Sequence, residues 1–196
     1  MLVTIETIES DRFPLYGRIP NWYEVKSILQ AQPVAGGLGG FTLEEEELRE
    51  PFIRDYNSHR EDNPIHWEGR FDLSTWGVFL ATDEYEQPVG GATVAVGASV
   101  YPIDRYQRSD LAVLWDIRVH PDHRRRGIGS QLLTYGAEWA REQGYGRLGI
   151  ETDSSNVGAC RFYMNQGCEL GAIHRFGYSG VPRVAEYAML LWYVDL

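Results

Sequence analysis

The sequence predicts an α/β protein with a mixed sheet and flanking helices, on three observations. The apolar run Leu111–Val119 (LAVLWDIRV) leads into a helical pattern and then a second strand, and that order implies parallel pairing. Two further strand-like runs, Trp76–Ala81 and Val89–Val96, are joined by the polar turn Asp83–Gln87, which reads as an antiparallel hairpin. The chain has 196 residues, 43% hydrophobic and 23% charged, enough for one sizeable domain with a real core.

Composition narrows the partners. Acidic residues number 28 against 18 basic, a formal net charge of −10. Nucleic acid is a poor partner for such a surface, because neutralising phosphates needs a basic face. A cationic small molecule suits it better, although acidity also serves solubility. Two cysteines, Cys160 and Cys168, are too few for a disulfide scaffold. No apolar run approaches the roughly 20 residues that cross a bilayer, so no membrane role is expected. The start, MLVTIETIESDRF, lacks the basic and apolar regions of a signal peptide, and a cytoplasmic location is expected.

Taken in order, residues 1–70 read as irregular, with the flexible run Gly36-Gly37-Leu38-Gly39-Gly40 as a simple loop. That run has no Lys-Ser/Thr after it and so is not a phosphate-gripping loop. Thr42-Leu43-Glu44-Glu45 has a capping-box pattern that opens a helix, with Glu44–Glu47 as its solvated face. Pro51 interrupts it, and Phe52, Ile53 and Tyr56 continue an apolar stripe. After the hairpin and the strand Leu111–Val119 comes the stretch Arg124–Ser130, followed by a helix, the apolar repeat being Ile128, Leu132, Leu133, Gly136, Ala137 and Ala140, with Gly144 beyond its end. Leu148–Thr152 is a short strand. A second helix runs over Val157–Gln166, capped by Asn156 and closed by Gly167, with Ala159, Phe162 and Tyr163 inward. Strands near Cys168–His174 and Glu186–Val194 close the chain.

The most informative stretch is Arg124-Arg125-Arg126-Gly127-Ile128-Gly129-Ser130, set between a strand and a helix start. Amides at a helix N-terminus have no intrahelical acceptor, and the dipole adds positive potential. Gly127 and Gly129 permit a tight turn and close approach by a bulky anion; the arginines and the Ser130 hydroxyl add attraction. The combination suits a pyrophosphate. The plainer reading is a solvated arginine cluster with two packing glycines. The stretch has no Walker lysine, and its glycine spacing is not the dinucleotide fingerprint. His120 and His123 lack a third ligand, so no metal site is expected.

These residues resemble the GNAT superfamily of N-acetyltransferases. Its signature, Arg/Gln-x-x-Gly-x-Gly/Ala, is met by Arg124, Gly127 and Gly129. A second block, Asn-x-x-Ala-x-x-Phe-Tyr with a later Gly-Phe pair, is met by Asn156, Ala159, Phe162, Tyr163 and Gly167, with Cys168 where phenylalanine is usual. Both blocks lie within residues 111–168, and flanking strands extend the likeness over roughly 70–194. Pro51–Tyr56, Glu151-Thr152, Ala159–Tyr163 and Trp192-Tyr193 resemble stretches of streptothricin acetyltransferases.

The resemblance implies a single GNAT domain over 1–196. Its core is 71–194, and 1–70 is a variable part contributing to the acceptor pocket. The central sheet is mostly antiparallel, with one splayed parallel pair. Acetyl-CoA is the implied donor, its pyrophosphate on the amides of Arg124–Ser130 and its pantetheine arm along the backbone of Ile117, Arg118 and Val119. Asn156, Ala159 and Tyr163 belong to the same binding block, and Trp115 and Asp116 lie where an acceptor would bind. Tyr163 is the implied acid for the departing thiolate.

An amine with a pKa near 10.4 is almost wholly protonated at neutral pH, so a base contributes directly to rate. Glu151, at the end of a buried-looking strand, is the chosen base; Asp116 and a water chain are its rivals. The expected acceptor is a small cationic primary amine, such as a streptothricin-like antibiotic. Its pocket would be built from residues 20–70, Ser99–Ser109 and Phe176–Val184, whose aromatics suit a cation but are equally consistent with core or a homodimer surface. Acetylation of a protein terminus or lysine, and a CoA-binding module without turnover, are the other readings.

Overall fold

The computed structural model describes residues 2–58, 63–96 and 109–196. Of the expected pocket residues, 59–62 and 99–108 lie outside them. The chain divides into two compact units, each assembled from discontinuous segments: residues 1–22, 55–149 and 195–196, and residues 23–54 and 150–194.

In the first unit, β1 (Val3–Thr7) pairs antiparallel with β4 (Gly77–Asp83), and β4 with β5 (Pro88–Ala95). The turn between β4 and β5 is closed by Asp83, whose carboxylate accepts from the amides of Tyr85 and Gln87, both at 2.9 Å. β5 then pairs antiparallel with β6 (Leu111–Val119). The helix α2 (Ile128–Glu142) carries the chain over so that the start of β7 (Arg147–Asp153) lies beside β6 as the parallel partner. The mixed, mostly antiparallel sheet is therefore as the sequence predicts.

Period-two alternation assigns the two faces of β4. Phe79 packs with Tyr135 and Trp139 of α2 at ring-centroid distances of 5.1 and 5.8 Å. Val78 and Leu80 turn the other way, into a cluster with Ile8, Phe13, Tyr16, Ile19 and Trp67. Phe13 and Tyr16 come from the short helix α1 (Phe13–Gly17). The Tyr16 ring lies against Gly91 of β5: a Cβ there would sit 1.6 Å from its Cε2.

In the second unit, the rest of β7 pairs with β9 (Met189–Asp195), and β9 pairs antiparallel with β8 (Glu169–His174). The helix α3 (Val157–Asn165) opens on Asn156, whose side chain accepts from the Ala159 amide at 3.1 Å. It closes on Gly167 at φ +84°. Its buried side chains are Val157, Cys160 and Tyr163, three residues apart. Ala159 and Phe162 are only half buried, so Cys160 takes the inward place expected of them.

The N-terminal part departs most from expectation. Residues 41–55 are not a helix but the long strand β3 (Phe41–Asp55), which pairs with β2 (Trp22–Pro33) in a two-stranded ribbon. A capping-box pattern is local, whereas pairing with β2 supplies hydrogen bonds along one whole edge of the strand. Pro51 is tolerated because a two-stranded ribbon leaves one edge of each strand unpaired. Glu44–Glu47 remain exposed, as expected of a solvated face. The glycine run forms the ribbon's turn, with positive φ at Gly36, Gly37 and Gly40.

Gly91→Ala should lower stability by about 3 kcal/mol, because Tyr16 cannot move aside without breaking its packing. A urea denaturation midpoint equal to that of the wild type would show that the ring does not rest there.

Candidate functional site

In the first unit, β6 carries the expected residues Trp115 to Val119. Thr93 pairs with Asp116 and Val94 with Leu114, so Trp115 has no partner on β5 and forms a bulge. The bulge resets the alternation. Trp115 packs on Phe71 and Trp76 at 5.0 and 5.3 Å, and Asp116 accepts a hydrogen bond from Tyr16, a member of the same cluster. Simple alternation would place these neighbours on opposite faces; the extra residue brings both to one.

Asp116 is fully engaged. One carboxylate oxygen accepts from Tyr16 at 2.5 Å and from Arg118 Nε at 2.7 Å. The other accepts from Arg118 Nη2 at 2.9 Å and Asn21 at 3.4 Å. The Arg118 side chain is 0% exposed and also donates to Asn57 at 2.8 Å. Burial works against its charge, but Asp116 beside it more than restores it, so the guanidinium stays protonated. Burial and the adjacent carboxylate likewise raise Tyr16, keeping its phenol a donor. Both Asp116 oxygens are thus committed to donors.

After β6 the chain turns sharply. Arg125 has φ +62° and Gly127 φ +81°, and a left-handed arginine is a conformation that clusters at ligand clamps. No side chain caps α2, and its first intrahelical bond runs from the Gln131 amide to the Gly127 carbonyl at 3.0 Å. The amides of Ile128, Gly129 and Ser130 therefore have no acceptor within the helix. Ile128 is buried and anchors the helix start, whereas Arg125, Arg126 and Gly127 are exposed. Arg124 behaves differently from its neighbours. Its guanidinium donates to the Val119 carbonyl at 3.1 Å and the Trp22 carbonyl at 2.5 Å, and lies 5.4 Å from the Trp22 ring centre. It fastens the loop instead of facing an anion.

The second unit holds Glu151, Asn156, Ala159 and Tyr163. Glu151 sits near the end of β7, half buried, and its Oε1 accepts from Tyr178 at 2.5 Å. Burial raises the carboxyl above its ordinary range; the Tyr178 hydrogen bond opposes the rise and the nearby Asp153 adds to it. Its other oxygen has no hydrogen-bond partner among the described residues. The loop after β7 is held by Asp153 and not by Glu151: Asp153 accepts from the amide and hydroxyl of Ser155 at 2.9 and 2.5 Å and pairs with Arg54 at 3.3 Å. Tyr163 is 5% exposed, with Phe162 and Trp192 as ring neighbours at 5.4 and 6.4 Å. Asn156 and Ala159 are occupied with the α3 cap.

The Cys160 thiol is pushed up to about 12, first by burial and then by Asp153, which leaves it inert as a nucleophile. Among the described residues, no group of three or more His, Cys, Asp or Glu is placed to hold a metal. Nor is any helix among them long and apolar enough to cross a membrane. Sequence reasoning missed Tyr178, Arg54 and the Arg118 side chain. Tyr178 and Arg54 both had a weak signal, since each falls in a segment assigned to the acceptor pocket.

The profile of the acetyltransferase (GNAT) family matches residues 42–168. The chain is 38% identical over 82 residues to streptothricin acetyltransferase A of Bacillus subtilis (strain 168), an alignment covering 42% of this chain and 47% of that protein. The chain thus spans about half the length of the curated relatives it matches. The solved structure of nourseothricin acetyltransferase has a TM-score of 0.77 at 20% identity, covering 100% of this chain and 99% of that one. A Bacillus anthracis str. Ames structure in complex with acetyl coenzyme A has a TM-score of 0.77 at 18% identity, with 100% of both chains covered. At those identities the structural likeness is one of fold. The chain belongs to the acetyltransferase (GNAT) family.

Arg118→Met should lower the unfolding free energy by about 3 kcal/mol, since it leaves Asp116 inside without its cation. Replacing both residues, Asp116→Leu with Arg118→Met, should recover most of that loss. Equal stability of the single variant and the wild type in chemical denaturation would contradict the network.

Proposed function

We propose that this chain, a member of the GNAT family, moves an acetyl group from acetyl-CoA to the primary amine of a small cationic acceptor, with a streptothricin-like antibiotic as the leading candidate. The observation that carries this reading is the contrast between its two candidate bases. Asp116 has both oxygens committed, whereas Glu151 has one held and one open. An open, partly desolvated carboxylate is suited to take a proton near neutral pH.

The residues fit the donor. Positive φ at Arg125 and Gly127 turns the chain sharply, and the uncapped start of α2 offers main-chain amides to a diphosphate. With the Arg124 side chain pinning the loop, the main-chain amides of Arg124–Ser130 would hold the pyrophosphate and the backbone of Ile117–Val119 the pantetheine arm. Bound there, acetyl-CoA supplies an acetyl group activated as a thioester. On the protein side, Glu151 takes the ammonium proton at its open oxygen, and the amine is left neutral to attack. Tyr163 Oη is the proton source for the departing thiolate. The exposed acids of β3 suit a cationic acceptor, and the relatives named for streptothricin supply the candidate.

The base must be ionised to act, and burial places its titration above the ordinary glutamate range. The rate should therefore rise with pH through that raised value. Glu151→Gln should lose this limb and about 100-fold in kcat/KM. Thiol release from acetyl-CoA, followed against streptothricin, aminoglycosides, polyamines and peptides across pH 5–9, reads both. An unmoved profile would remove Glu151 from the mechanism.

Gly127→Ala should weaken coenzyme A binding about tenfold in calorimetric titration, because φ +81° strains alanine. Equal heats and affinity would overturn the assignment of the turn.

A further inference from the structure

We propose that Tyr178 is the positioning residue of the base: its phenol, presented by the turns between β8 and β9, orients Glu151 with one oxygen held and the other left open for the acceptor's proton. The inference rests on the reading of Glu151 as the base, and it adds a residue that no motif of the sequence marks.

The geometry is specific. The contact joins residues 27 apart in the chain at 2.5 Å, with the phenol as donor. The segment carrying Tyr178 is built, turn upon turn. The Gly177 amide bonds to the His174 carbonyl at 3.2 Å, and the Ser179 amide to the Phe176 carbonyl at 3.2 Å. The Ser179 hydroxyl reinforces the second turn at 2.9 Å, and the Val181 amide closes on Tyr178's own carbonyl at 2.8 Å. Gly177 lies against Met189 of β9, where a Cβ would meet the Met189 Cβ at 2.9 Å. Glycine at 177 lets the chain sit down on β9, and Tyr178 follows at a fixed height.

The charges around the pair explain why the phenol acts only as a donor. Glu151 is faced by Tyr178 from this segment and by Asp153 from its own strand. Tyr178 is faced by Glu151 and Asp153 from β7 and by Arg54 from β3. Burial and the two carboxylates raise the phenol far beyond its ordinary range, against the smaller opposing effect of Arg54. It stays protonated whenever Glu151 is ionised. Among the described residues no lysine or arginine pairs with Glu151, so this phenol is the polar contact that favours its charged form.

Tyr178→Phe keeps the ring and deletes the donor. Carboxyl-labelled glutamate followed by carbon-13 NMR in the full chain reads Glu151 directly, assigned by the signal lost in Glu151→Gln. Its titration midpoint should move up by about one pH unit in Tyr178→Phe. The acidic limb of kcat/KM for an amine that the wild type acetylates should move by the same amount, with KM for acetyl-CoA unchanged. A midpoint that stays in place or falls overturns the proposal. If Tyr178→Phe does not fold, Gly177→Ala decides instead: displacing the segment from Met189 should raise the Glu151 midpoint with the phenol present, and an unchanged midpoint overturns the proposal. Should Glu151→Gln retain the acidic limb, the base reading fails separately, while the NMR midpoint still judges the role of Tyr178.

Discussion

A guanidinium with no solvent-exposed side-chain surface governs the first unit. Arg118 cannot lose its proton, and its charge inside the protein has to be matched by a fixed anion and by polar groups on the remaining N–H bonds. Asp116, two residues away on β6, supplies the anion in a two-pronged contact. Asn57 accepts from the guanidinium and Tyr16 donates to Asp116, which ties α1 and the segment after β3 to one strand. Tyr16 can reach Asp116 because Gly91 lets its ring lie against β5. The bulge at Trp115 is what admits both an indole and a carboxylate to the same side. The strand proposed to receive the pantetheine arm is thereby held from its own interior.

The two units treat their carboxylates oppositely. Asp116 is saturated with donors and stays fixed as a structural anion. Glu151 has one strong hydrogen bond and is partly desolvated, so its charge is less well compensated. Asp153, two residues further along β7, absorbs the structural duties near it through Ser155 and Arg54. A carboxylate that is held but not satisfied has the chemistry a proton acceptor requires.

The arginines before α2 divide similarly. Arg124 is spent on the Val119 and Trp22 carbonyls and on the face of the Trp22 ring, and burial lowers its pKa. Arg125 and Arg126 remain outside, where their charge can draw an anion toward the turn. Three identical letters in a row thus carry two jobs: one pins the turn and two surround it. The strain of a left-handed Arg125 is sustained because Arg124 on one side and buried Ile128 on the other fix the turn's ends.

Several features were legible in the chain of residues alone, because each rests on interactions between near neighbours. Leu111–Val119 is a strand at the residues expected, Asn156 caps α3, and Gly144 and Gly167 end their helices in the left-handed region. The turn 124–130 and its relation to α2 could be read for the same reason. What could not be read depends on partners far away in sequence. Residues 41–55 carry a helix-start pattern but form β3, because β2 pairs with one edge of the strand along its length. Glu151 and Asp116 look alike as letters; Tyr178, 27 residues beyond the first, and Tyr16, 100 residues before the second, separate them. Local sequence determined where the backbone turns, caps and alternates. Tertiary structure alone decided which charges are satisfied, because hydrogen bonding and desolvation are set by whatever folding brings within three ångströms.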